Sequence, residues 1–298
     1  MLNEAQILSI IGRDKSLLDA DITNLENQIQ ELVSNSKFLV VGAAGTIGSS
    51  VSLEIAKRNP QALCLVDISE NNLVELIRNV RSTSTSNSSN CRSFALDFGS
   101  TEFQEMFKEQ GPFDYVLNLA ALKHVRSEKD TFTLSRMFKV NILNPLKLQK
   151  LCGELDSCKY FCVSTDKAAN PANLMGASKL IMEKLLLSKF ANVTTSFARF
   201  ANVAFSDGSL PHGFLNRIEN NQPLSAPYDI SRYFITKLEA GQICLLSTLF
   251  GQDGEVFYPK LDLVKNQMSF KNLAENFLRV LGFQPKLAFS ERESLDMS

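Results

Sequence analysis

A chain of 298 residues with 44% hydrophobic content can bury the core of one large domain, or of one domain with a smaller lobe. Its 31 basic and 32 acidic residues leave a formal charge of −1, which argues against a nucleic-acid face or a polybasic membrane patch. No apolar run approaches the about eighteen residues that span a bilayer, and two histidines with six scattered cysteines and no C-x-x-C pair almost exclude a zinc site of ordinary spacing. The opening MLNEAQILSIIGRDK has an early acid and no small-residue cleavage site, so it does not read as a secretory signal. Cys64, Cys91, Cys152, Cys158, Cys162 and Cys244 read as small buried residues in a reducing compartment, and a soluble cytoplasmic protein is expected.

Residues 1–34 are expected to form an N-terminal helical extension. Ile22, Leu25, Ile29 and Leu32 recur at spacings of three and four, one apolar stripe on a helix, with Asp21 as its N-cap and Ser34 to Ser36 ending it. The extension either packs on the main domain as two short helices or makes a subunit contact. From Lys37 the pattern becomes strand, turn and helix, repeated: a strand at Lys37–Val41, a helix through Lys57, a strand at Ala62–Val66 and a helix from Asn71 to Arg81. Residues 82–90 are a polar, low-complexity loop. Further strands follow at Ser93–Leu96, Tyr115–Leu119 and Tyr160–Val163. Strands that are apolar throughout and alternate with helices mean a parallel sheet covered on both faces. The expectation is therefore an α/β protein: a Rossmann-like, doubly wound parallel sheet over residues 35–202. Residues 203–298 would form mostly a smaller C-terminal substrate-binding lobe, with some segments returning to the sheet.

Gly42-Ala-Ala44-Gly45-Thr46-Ile47-Gly48 follows the first strand and opens a helix. Glycine serves where the chain turns tightly or where backbone must approach a pyrophosphate, and the helix N-terminus offers free N–H groups to the phosphates. An acid at the end of the next strand completes the pattern: Asp67 lies nineteen residues past Gly48. Its carboxylate would accept from the ribose hydroxyls and repel a 2′-phosphate, and no arginine follows at once, so NAD is favoured over NADP. Asp97, after the third strand, is placed to meet the adenine amino group.

The fifth strand runs into Ser164-Thr165-Asp166-Lys167, at the strand end where such sheets do chemistry. Eleven residues after Ser164 comes Met175-Gly-Ala-Ser-Lys179, with Met175 and Lys179 four apart and so on one helix face. With Asn118-Leu-Ala120-Ala121 on the fourth strand, this spacing resembles the extended short-chain dehydrogenase/reductase family over residues 36–285. That family carries a tyrosine, its usual base, where Met175 stands, and methionine cannot move a proton. One branch has the same replacement: the bacterial nucleotide-sugar 4,6-dehydratases of the polysaccharide-biosynthesis type. The match includes the run from Ser164 through Asn-Pro-Ala-Asn-Leu-Met175 to Lys179, Ala121-Leu-Lys123-His124-Val, Ala198-Arg199-Phe-Ala-Asn202-Val, Asp207-Gly-Ser and Ser231-Arg232-Tyr-Phe. Within the branch, the strings RSEKD and ARFANVAFSDGSL are most similar to the dehydratases of legionaminic-acid pathways.

The resemblance implies conversion of UDP- or GDP-N-acetylglucosamine to its 4-keto-6-deoxy form for surface polysaccharide or nonulosonic acid, with bound NAD recycled internally. Lys167, crowded by Lys179 and partly desolvated, would be the base for the carbon 5 proton. Asp166, kept protonated by burial beside the sugar, would be the acid for the leaving hydroxyl. Thr165 would bond the oxygen on carbon 4, Met175 would wall the pocket, and Lys179 would bind the nicotinamide ribose. Lys123 and Asn118 would lie along the cofactor, and Asn141 would hold the active-site strand. Lys123, His124, Arg199, Asn202, Arg217 and Arg232 are the candidate substrate ligands, guanidinium forks being suited to a diphosphate. A nucleotide-sugar C4-epimerase and a non-catalytic NAD-binding regulator stay open as alternatives. A homo-oligomer is implied, and the tail from Leu287 is shorter than the family's, which is expected to weaken activity if tail residues close the sugar site.

Overall fold

The computed structural model describes residues 2–83, 90–123, 128–188, 191–227, 229–262, 264–283 and 287–290. His124, most of the 82–90 loop and the tail beyond Ser290 lie outside the described residues. In chain order the first elements are α1 (Glu4–Ile10), α2 (Asp19–Ser34), β1 (Lys37–Val41), α3 (Thr46–Ala56), β2 (Ala62–Asp67), α4 (Glu70–Thr83) and β3 (Cys91–Ala95). Then come α5 (Thr101–Gln110), β4 (Tyr115–Asn118), α6 (Thr131–Phe138), a π-turn over Lys139–Leu143, α7 (Asn144–Gly153) and β5 (Lys159–Val163). A 3-10 turn at Asp166–Ala168 precedes α8 (Leu174–Leu186), β6 (Thr194–Ala198) and β7 (Asn202–Val203). The chain continues through α9 (Leu210–Glu219), β8 (Leu224–Pro227), β9 (Ser231–Ile235) and α10 (Lys237–Phe250). It ends with β10 (Val256–Phe257), β11 (Gln267–Ser269), α11 (Phe270–Val280) and β12 (Leu287–Ser290). No described helix is long and apolar enough to cross a membrane.

Two compact units divide the chain: Ile22–Arg199 with Gly241–Tyr258, and Met1–Asp21 with Phe200–Ala240 and Pro259–Ser298. The larger unit holds a seven-stranded sheet in the order β10-β6-β5-β4-β1-β2-β3, every pairing parallel. Its central strands are buried along almost their whole length, which is why they read as unbroken apolar runs. Leu39, Val41, Val66 and Val116 meet the helix residues Phe103 and Phe107 in one core, and each such side chain contributes about 1.5–3 kcal/mol by leaving water. The strand order reverses at β1, which pairs with β2 on one side and β4 on the other. The carboxyl ends there flank the crevice in which sheets of this kind bind ligands.

The smaller unit carries a three-stranded sheet, β11-β9-β7, and the pair β12-β8. Its core gathers Phe205, Phe214, Phe234 and Phe277 with Ile7, Leu8 and Ile10 of α1. Asn276 Nδ2 donates to Ile10 O at 3.1 Å. Below α1, Arg13 and Glu239 form a doubly bonded ion pair with both contacts at 2.6 Å and side chains 7% and 0% exposed. The same carboxylate accepts from Leu17 N at 2.7 Å and Thr236 N at 2.8 Å.

Two expectations need correcting here. The extension over residues 1–34 is not one body, since α1 belongs to the core of the smaller unit and the chain from Ile22 onward to the larger. Asp21 is not the N-cap of α2; the helix starts at Asp19, and both acids sit in its first turn, where the helix dipole favours negative charge. Strands β6 and β10, which close one side of the sheet, were not anticipated.

Candidate active site

Gly42 opens the loop after β1 with φ +73°, and a Cβ there would lie 2.6 Å from Ala120 N at the end of β4. Gly48, in the first turn of α3, presses against the loop: a Cβ would meet Gly42 O at 2.0 Å. Asp67 fixes the other side, its Oδ2 accepting from Ala44 N at 3.0 Å and its Oδ1 from Ser69 N at 2.9 Å. Gly45 is the N-cap of α3 and has no side chain with which to cap it, the arrangement that leaves first-turn N–H groups to an anion. Thr46 and Ile47 form that first turn. Gly42, Gly45, Asp67, Asp97, Ala120 and Ala121, all expected at the cofactor, line one pocket. Gly48→Ala is expected to cost about 1–3 kcal/mol by forcing α3 off the loop. A lower melting temperature and weaker dinucleotide binding would show it, and an unchanged melt would overturn the close-approach reading.

At the end of β5, Ser164 Oγ is buried with no hydrogen-bond partner among the described residues. Thr165 caps the following 3-10 turn, and its Oγ1 bonds Asp166 Oδ1 at 2.9 Å. Lys167 Nζ reaches the same oxygen at 3.2 Å, so one carboxylate oxygen serves a hydroxyl and an ammonium. The Lys167 and Asp166 side chains are 41% and 47% exposed, so the burial expected around them is not supplied by the protein alone.

Lys179 lies in α8, four residues after Met175. It is 4% exposed and donates to Val163 O at 2.9 Å, beneath the strand end. Burial pushes its pKa below the ordinary lysine value, while Cys162 and Glu183 pull the other way. Met175 is buried, and its N–H donates to Glu128 Oε1 at 2.8 Å. Asn173 caps the same helix through Gly176 N at 2.8 Å.

Asn118 does not line the pocket; its side chain is buried, donating to Tyr160 Oη at 3.1 Å and accepting from Ala120 N at 3.2 Å. Asn141 sits inward in the π-turn, accepting from Leu122 N at 2.9 Å and donating to Leu122 O at 2.9 Å and Ser178 Oγ at 3.1 Å. It therefore ties the segment after β4 to α8 and holds the site by its backbone. Lys123 is exposed and lies outside the pocket lining.

The Arg199 guanidinium pairs with Glu183, through Nε to Oε1 at 2.9 Å and a second contact from Nη2 to Oε2. In the smaller unit, Asn202 Nδ2 donates to Tyr233 O at 3.3 Å, Arg217 to Pro223 O at 3.0 Å and Arg232 to Ser231 O at 2.9 Å. Sequence reasoning missed Glu128, the acceptor at the head of α8, and Arg136, Leu122 and Val140 in the pocket wall. Glu128 and Leu122 lie inside the strings RSEKD and Ala121-Leu-Lys123 without a role being read for them, and nothing marks Arg136 or Val140, because the approach of each is set by the tertiary fold.

The capsular polysaccharide biosynthesis protein CapD of Staphylococcus aureus is 32% identical over 285 residues, 94% of this chain and 46% of CapD, so the chain spans less than half of that relative. Pen from Bacillus thuringiensis superposes with a TM-score of 0.74 at 24% identity, covering 87% of this chain and 78% of Pen. WbmF of Bordetella bronchiseptica, solved with NAD+ and UDP, gives a TM-score of 0.70 at 17% identity, covering 90% of this chain and 83% of WbmF. At such identities these two structures speak for the fold. A family model described as polysaccharide biosynthesis protein matches residues 38–296, and the chain belongs to that family.

Proposed function

We propose that the chain is an NAD-dependent nucleotide-sugar 4,6-dehydratase acting on UDP- or GDP-N-acetylglucosamine. The observation that carries the reading is the shared Asp166 oxygen, bonded by Thr165 at 2.9 Å and Lys167 at 3.2 Å at the end of a parallel strand. The glycine loop, the side-chain-free cap at Gly45 and Asp67 fit a dinucleotide. Held by the glycine loop, the cap at Gly45 and Asp67, NAD would supply a reversible hydride acceptor for a transfer from carbon 4 to carbon 6, so no outside reductant is needed.

The protein's own part is proton handling. Moving one proton across the Lys167–Asp166 contact turns an ion pair into a neutral amine beside a protonated acid. A sugar covering the pair would favour the neutral form, since charges out of water are costly. The amine then takes the proton from carbon 5 of the 4-ketone, and the acid gives its proton to the oxygen leaving carbon 6. Water departs and the ion pair is restored. The ammonium then returns a proton to carbon 5 as hydride reaches carbon 6. Solvent, which took up the proton of the carbon 4 hydroxyl at the first step, reprotonates the amine. Thr165 Oγ1 would hold the oxygen on carbon 4, Lys179 would place positive charge beneath the nicotinamide ribose, and Met175 would supply an apolar wall.

Incubating the purified chain with each sugar nucleotide separately, without reductant, tests the reading by mass spectrometry. Loss of one water from either is the expected result. Unchanged mass with NAD bound would overturn it for these substrates, and separating isomers of equal mass would then reveal an epimerase.

A further inference from the structure

Three charged side chains line the cofactor pocket: Asp67, Asp97 and Arg136. Both carboxylates are already oriented by backbone. Asp67 holds Ala44 N and Ser69 N, and Asp97 Oδ1 accepts from Gly99 N at 2.8 Å. Arg136, in the last turn of α6, makes no hydrogen bond or ion pair through its side chain with any described residue. An exposed arginine near a helix end is commonplace on a solvated face, but this one shares a pocket wall with Val140. The uncharged lining is largely aliphatic, and Ile68 on the same pocket is 62% exposed, a large apolar side chain without cover.

We propose that Arg136 stacks its guanidinium on the adenine ring of the bound dinucleotide, with Ile68 on the ring's other face, and so acts as the chain's adenine-recognition residue. The inference rests on the cofactor reading given above. A guanidinium is planar and weakly hydrated, so it can lie flat on an aromatic base, whereas aliphatic walls touch the ring without answering its π electrons. The phosphates have their own donors at the glycine loop and the head of α3. The base is left for Arg136.

Isothermal titration of the full chain and of Arg136→Ala and Arg136→Lys, each with adenosine, AMP, nicotinamide mononucleotide and NAD, tests this. Arg136→Ala should weaken adenosine, AMP and NAD alike by about 3- to 30-fold, with nicotinamide mononucleotide unchanged. Arg136→Lys keeps the charge without the plane and should recover only part of the loss. Adenosine bound equally by wild type and Arg136→Ala, with AMP alone weakened, would make Arg136 a phosphate ligand and overturn the stacking. Equal binding of every ligand would overturn any role at the cofactor. Failure of the wild type to bind NAD would instead bring down the cofactor reading, and this inference with it. The ligand-free melting temperatures of all three proteins should agree, showing that the variants fold.

Discussion

Lys167→Ala is expected to end water loss from the sugar nucleotide, lowering kcat by about 100- to 10,000-fold, the usual range for a positioned acid or base. NAD affinity and the melting temperature should barely move, because the side chain is 41% exposed and its bond is to the equally accessible Asp166. Asp166→Asn should lose a comparable factor for a different reason: the amide still accepts from Thr165 but has no proton to give to the departing oxygen. If the two residues work as one proton-exchanging pair, the double variant should be little worse than either single one. Product formation followed by mass spectrometry, alongside a thermal melt, reads all three. A Lys167→Ala protein within about threefold of wild type would remove lysine from the proton path.

Glu239→Ala should be the most damaging change to stability. It strands the buried Arg13 guanidinium and frees the N–H groups of Leu17 and Thr236 together, a loss of about 3–5 kcal/mol. Acid should mimic it. Burial pushes the Glu239 carboxyl up, but Arg13 and the two backbone donors outweigh burial and hold it below the ordinary value of 4.5. The unfolded chain therefore takes up this proton first as the pH falls. The contribution is complete above the ordinary carboxylate value and is lost as the pH drops through the lower folded one. Glu4, close by, is raised chiefly by burial and works in the opposite sense, its contribution fading as the pH rises through its folded value. Denaturant midpoints measured from neutral pH down to about pH 3 should converge for wild type and Glu239→Ala; parallel curves would remove Glu239 as the acid-sensitive group.

What could be read in advance was whatever is local. The glycine loop, Asp67 and the central strands announce themselves because the turn, the helix start and two-sided burial constrain neighbouring residues in the chain. Strand β6 escaped because its sequence, Thr-Thr-Ser-Phe-Ala, mixes hydroxyls into a buried run, and they are satisfied by distant partners. Thr195 Oγ1 accepts from Gln149, and Ser196 Oγ donates to Ser247 O. The residue pair Arg199 and Glu183 illustrates the same limit at the site. An arginine after a strand suggests an anion, and only the packing of α8 on that strand end shows that the anion is the protein's own. Asn141 looked like a poor helix residue and is one; the π-turn is what turns its amide inward.

The interleaving of the two units has a consequence for synthesis on the ribosome. Strand β10, which pairs with β6 at the sheet margin, lies beyond a stretch from Phe200 to Ala240 that belongs to the other unit. Until Val256 and Phe257 have emerged, β6 offers an open edge of unpaired backbone, the kind of surface on which nascent chains associate wrongly. Helix α1 waits longer still. It is made before the sheet, yet its apolar face packs with Leu273, Phe277 and their neighbours on α11. A helix translated ahead of the whole sheet is thus among the last to find its seat, and holding it in reserve falls to whatever shields a growing chain.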